Sequence, residues 1–235
     1  MFFWNPTYLL FMAPAFLLVM LAQMWVNSTY RRWSNIRNRL GISGAEAAQR
    51  LLQSGGLYNV KLEAAQGRLS DHYDPRREVL RLSGGVANGN SVASLAIAAH
   101  EIGHAMQDKE GYFPLRFRAA LVPVVQIGSN LGWILILAGL FLQGTLGTQL
   151  AGIGLLTFAT GTLFALATIP VELDASSRAK ALLTNSGLIM TQEEQDGVSR
   201  VLRAAAFTYI AALAASLLQL LYYASLVFGM GRRRR

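Results

Sequence analysis

His100, Glu101 and His104 form an H-E-x-x-H inside an alanine-rich run from Ser91 to Asp108. A helix stacks residues i and i+4 on one face, so the two imidazoles can grip one metal ion. Glu101 directly follows the first histidine and points close to the ion's open position, where a carboxylate can take a proton from water. Two of the chain's three histidines lie in this pentad. Ionisable groups rarely go without a partner in so apolar a run, which favours a metal centre over a pair of ordinary hydrogen-bonded histidines.

The donor inventory narrows the metal. The chain has no cysteine, so disulfides and thiolate sites are excluded and zinc would have to be bound through nitrogen and oxygen. A catalytic zinc takes three protein ligands and keeps a fourth position open. The remaining histidine, His72 in Asp71-His72-Tyr73-Asp74-Pro75, would be an unusual upstream donor. Glu172 in Pro170-Val171-Glu172-Leu173-Asp174-Ala175-Ser176 is the better candidate, because a carboxylate at a membrane boundary is costly unless paired or metal-bound. Taken alone, Glu172 also fits a helix N-terminal acid favoured by the helix dipole. The unfilled ligand count puts the metal role ahead.

These residues need elements to carry them. Of 235 residues, 53% are hydrophobic and 14% charged, too few charges for an ordinary soluble domain. Four apolar stretches are expected to cross a bilayer as helices: Thr7 to Val26, Ala119 to Leu142, Leu150 to Ile169 and Ala204 to Phe228. Only Gln143 to Gln149 separates the second from the third, a tight hairpin in which Gly152, Gly154 and Gly161 would let helices approach closely. Pro170 is read as the end of the third span and the start of a new helix. Ser43 and Glu46, like Thr191 and Glu194, form capping boxes, and Ser91 is the expected N-cap of the metal-site helix. Val60 to Glu63, Leu69 to Tyr73 and Val79 to Leu82 read as short strands. Trp25, Tyr30, Trp33 and the Tyr222-Tyr223 pair fit an interfacial aromatic belt.

The expected fold class is thus a mainly α membrane protein, with four transmembrane helices and a small α+β, zincin-like catalytic domain around the metal-site helix. The segments are 1–26, an anchor; 27–118, the catalytic domain; 119–169, a two-span hairpin; 170–203, the third-ligand helix and connection; and 204–235, the fourth span with an arginine tail. Segments 27–118 and 170–203, two spans apart, share one side of the membrane and hold 17 of the 21 basic residues. By the positive-inside tendency that side is the cytoplasm, although the tail Arg232 to Arg235 then falls outside. The net charge of +8 is explained by these flanks, and no Gly-rich phosphate loop or aromatic–basic interleaving points to nucleic acid.

The segment Asp71-His72-Tyr73-Asp74-Pro75, the run Val79-Leu80-Arg81-Leu82-Ser83, the histidine helix and the segment from Pro170 to Ser176 together resemble the YugP-type membrane zinc metallopeptidases. The resemblance is close from Gly67 to Leu183. It implies a zinc peptidase of gluzincin type, with His100, His104 and Glu172 as ligands and Glu101 as catalytic base. More distantly the layout is similar to HtpX-type membrane proteases, whose glutamate ligand sits in E-x-x-A-D. Glu172 and Ala175 match that pattern, Ser176 stands where the aspartate would be, and Asp174 is expected to orient a ligand histidine instead. His72 or Tyr73 could supply a donor to the oxyanion if their strand edges the cleft, and His72 reads equally well as a turn histidine that ties down Asp74-Pro75. The expected partners are a protein or peptide substrate and the lipid bilayer of a bacterial inner membrane, with a membrane-protein partner or a second copy left open. A membrane scaffold with a structural zinc, or a zinc hydrolase of a non-peptide substrate, is the alternative.

Overall fold

The computed structural model of the chain describes residues 6–142 and 144–232. Beyond the backbone of Arg232, the arginine tail lies outside the described residues. The chain divides into two compact units: Met1–Ala22, Phe117–Ile169 and Thr208–Arg235 form one, and Gln23–Arg116 with Pro170–Phe207 the other. Four long helices contribute to both: α1 (Pro6–Ser34), α5 (Phe113–Leu142), α6 (Gly144–Asn185) and α7 (Gln192–Arg232).

The second unit carries the chemistry. Its helix α2 (Gly44–Ser54) starts where the sequence predicts: Ser43 Oγ accepts from Glu46 N–H at 3.2 Å, and the Ser43 N–H donates to the Glu46 carboxylate at 2.7 Å. Three strands follow, β1 (Lys61–Ala65), β2 (His72–Asp74) and β3 (Val79–Ser83), in sheet order β1-β3-β2. β3 is central, parallel to β1 and antiparallel to β2, with His72 opposite Arg81. Arg81 joins both edges through Glu63 at 3.0 Å and Asp74 at 3.4 Å. After the short α3 (Gly84–Ala87), Ser91 caps α4 (Val92–Lys109) by accepting from Ser94 N–H at 3.1 Å.

Helix α4 is buried nearly all round, from Val92 and Leu95 to Ile102 and Gln107. Its alanines are what allow this, since small side chains let neighbours close in on every face. Around it gather Leu51, Leu80, Leu82, Leu183 and Val198. Trp33, expected at a membrane interface, is instead 4% exposed in this core. Its indole occupies the space that a side chain at Gly197 would need, and it packs where the absence of a Cβ makes room.

Pro170 does not start a helix. It lies inside the continuous 42-residue α6. Proline removes one backbone donor, and membrane helices tolerate that loss. Beyond it Val171, Ala175, Ala179 and Leu183, spaced by four, are fully buried, which favours continuing the same helix.

The first unit consists of helical segments alone among the described residues. The α5–α6 turn is tighter than the expected Gln143 to Gln149 loop, since α6 already begins at Gly144, whose φ is +68°. The two helices touch through glycine: a Cβ on Gly132 would stand 2.7 Å from Phe158 N and 2.8 Å from Gly154 O. Of the three glycines expected to serve close packing, Gly154 does so, whereas Gly152 faces open space and Gly161 meets Ser129 alone. Tyr222 is 5% exposed and packs edge-on against Tyr8 at 5.3 Å, inside the unit rather than in a belt at its rim.

Candidate metal centre

Two elements bring the site together. One turn of α4 carries His100 and His104, and the first turn of α6 after Pro170 carries Glu172. The helices approach closely at Gly103, where an added Cβ would lie 2.5 Å from Ala175 O. His100 Nε2 is 3.2 Å and His104 Nε2 3.5 Å from the same Glu172 oxygen, Oε2. The two imidazoles meet edge to face, with centroids 4.8 Å apart. Glu172 is 3% exposed.

Whether these residues fit zinc can be judged from the spacing. Two ligand atoms each ~2.1 Å from one tetrahedral ion stand about 3.4 Å apart. Both observed nitrogen–oxygen distances are close to that, and the three donors lie within 4.8 Å of one another. The donor set is two imidazoles and one carboxylate, borderline ligands that suit zinc. The residues fit the ion.

Glu101 is partly buried beside the trio. Its Oε2 accepts the Tyr73 backbone N–H at 3.1 Å, so strand β2 fixes one of its oxygens. Burial pushes the Glu101 carboxyl up, Glu172 and Asp71 push the same way, and the two histidines pull against them. Asp71 anchors the approach of the same strand by accepting from Ser83 N–H at 2.7 Å and from Ser83 Oγ.

The remaining candidates separate. The exposed His72 ring contacts Ser70 O through Nδ1 at 2.8 Å and Arg81 Nη1 through Nε2 at 3.3 Å, outside the trio. The Tyr73 hydroxyl donates to Asp108 at 3.1 Å, and burial pushes this phenol well above its usual range, with Asp108 adding to the rise. It is the Tyr73 main chain that reaches the site. Asp174 does not touch a histidine. It accepts from Gln107 Nε2 at 2.8 Å, and Gln107 Oε1 in turn faces His104 Nδ1 at 3.0 Å. Ser176 Oγ lies 3.3 Å from His100 Nδ1, so the residue that replaces the expected aspartate contacts the other histidine directly. Sequence reasoning missed Gln107. Its one signal was position, three residues after His104 on the same helical face.

Fold and site thus define a multi-pass membrane chain with a two-histidine, one-glutamate group able to hold a metal. Residues 8–228 match the family described as "Putative neutral zinc metallopeptidase", and the chain belongs to that family. It is 43% identical over 211 residues to the "Putative membrane protease YugP" of Bacillus subtilis (strain 168), an alignment covering 90% of this chain and 92% of that protein. No solved structure matches the chain.

Proposed function

We propose that the chain is a zinc-dependent endopeptidase of gluzincin type, cutting protein substrates at the cytoplasmic surface of a membrane. The observation that carries this reading is the spacing of His100 Nε2, His104 Nε2 and Glu172 Oε2, with the Glu101 carboxylate held beside them. These three atoms would hold the ion. When bound, zinc supplies a Lewis acid that acidifies water and polarises a carbonyl. Glu101 takes the proton of the attacking water on its carboxylate and passes it to the leaving amine nitrogen. The Tyr73 N–H, by occupying Oε2, leaves Oε1 for that transfer.

Hydrolysis of an unfolded protein by detergent-purified wild type and Glu101→Gln, with zinc measured in both, tests the proposal. The expected outcome is one zinc in each and a turnover loss of at least about a hundredfold in the variant. Zinc in both and cleavage by neither would favour a membrane scaffold with a structural ion, or a non-peptide substrate.

A further inference from the structure

Gln107 is wholly buried, and every polar atom of its side chain has a partner. Its Nε2 donates to Val171 O and to Asp174 Oδ2, both at 2.8 Å. A carbonyl has no proton to give, and neither has a carboxylate already paired with Arg178 Nε at 2.6 Å. The amide can therefore face only one way, with nitrogen toward these acceptors and Oε1 toward His104. An oxygen acceptor 3.0 Å from Nδ1 requires the proton on Nδ1. In the neutral ring Nε2 then carries the lone pair, and Nε2 is the atom beside Glu172. His100 has no equivalent lock, because its partner at 3.3 Å is the Ser176 hydroxyl, which can donate or accept.

We propose that Gln107 is a positioning residue that fixes the tautomer and orientation of His104 for zinc, and that the chain Asp174–Arg178–Glu110 fixes Gln107. This inference rests on the zinc-peptidase reading. Arg178 ties the chain to the end of α4 through Glu110 at 2.7 Å. Since Val171 precedes Glu172, the same amide also ties α4 to the turn of α6 that delivers the third ligand. One uncharged side chain thus acts on two of the three ligands. Outer contacts of this kind typically change metal affinity by about 10- to 100-fold.

The test uses the full chain in detergent, with zinc affinity from chelator competition and spectra of protein labelled with ¹⁵N at its three histidines. Gln107→Met keeps the length of the side chain but offers no oxygen. Its zinc affinity is expected to fall by about 10- to 100-fold, with the His104 Nδ1 proton moving upfield. Gln107→Glu keeps an oxygen acceptor for the His104 Nδ1 proton, and is expected to keep that proton downfield and to bind zinc more tightly than Gln107→Met. A role in packing alone would leave this variant no better than Gln107→Met, and that result overturns the inference. So does a Gln107→Met protein that binds zinc as tightly as wild type. Should Gln107→Met not fold, the spectrum of zinc-loaded wild type decides: no proton on His104 Nδ1 overturns the assignment. Wild type that holds zinc but cleaves nothing sinks the peptidase reading and leaves the relay standing on affinity. Wild type that takes up no zinc removes the site and the relay together.

Discussion

At the scale of single residues, the distinction that matters near the trio is between side chains that contact it and main chain that does. Tyr73 holds Glu101 through its backbone N–H, which no ordinary substitution removes, while its hydroxyl belongs to Asp108. Tyr73→Phe is therefore expected to lose about 1.5–3 kcal/mol of stability, the worth of one hydrogen bond to a carboxylate, and to keep its turnover. His72→Ala should likewise keep both zinc and turnover, since the ring is spent on Ser70 and Arg81. Removing an oxyanion donor typically costs about 10²- to 10³-fold in kcat, so a loss of that size in either variant, measured with zinc at saturation, would return that side chain to the reaction. The charged and imidazole candidates were legible because their types announce themselves: the H-E-x-x-H fixes a spacing, and Glu172 is an acid at the end of an apolar run. Gln107 was not legible, because an amide has no charge to explain and its partner Asp174 lies 67 residues further along the chain.

At the scale of elements, the site depends on how closely α4 and α6 approach. Gly103 sits between His100 and His104 on α4, and a methyl group there would meet Ala175 O at 2.5 Å. The carbonyl belongs to the α6 backbone, so the contact can be relieved only by moving one helix away from the other. Gly103→Ala is expected to destabilise the chain by about 1–3 kcal/mol, as overpacking does. It should also weaken zinc binding, because His100 and His104 would withdraw from Glu172. Thermal unfolding and zinc titration check this together, and a variant as stable and as zinc-avid as wild type would show that the approach is not needed. The helix starts at Ser43 and Ser91 were readable, since the chemistry of a cap lies within four residues. Pro170 misled for the opposite reason. A local helix-breaking signal was overridden by a buried stripe, Val171, Ala175, Ala179 and Leu183, whose partners lie far away in sequence.

At the scale of the whole molecule, the charge distribution and the helix lengths bear on the same question. Four helices are long and apolar enough to cross a membrane. At 42 residues α6 is about 63 Å long, roughly twice the hydrocarbon thickness of a bilayer. Its charged residues, Glu172, Asp174, Arg178 and Lys180, all follow Pro170. The 26 residues of this helix before Pro170 are by themselves long enough to span lipid, and every charge the helix carries follows them. The sequence already paired the segments on either side of the two-span hairpin, and the structure joins Gln23–Arg116 to Pro170–Phe207 in one unit. The proposed side of the membrane rests on charge. Segments 27–118 and 170–203 carry 17 of the 21 basic residues, and those near the helix ends are the ones that the positive-inside tendency counts. Because the chain has no cysteine, a single Gln66→Cys, exposed between β1 and β2, gives a unique thiol on the unit that holds the site. In intact cells a membrane-impermeant thiol reagent is expected to leave it unlabelled, and to label it once the membrane is opened. Labelling in intact cells would put His100, His104 and Glu172 on the outer face, where the arginine-flanked helices would have to oppose the usual charge rule.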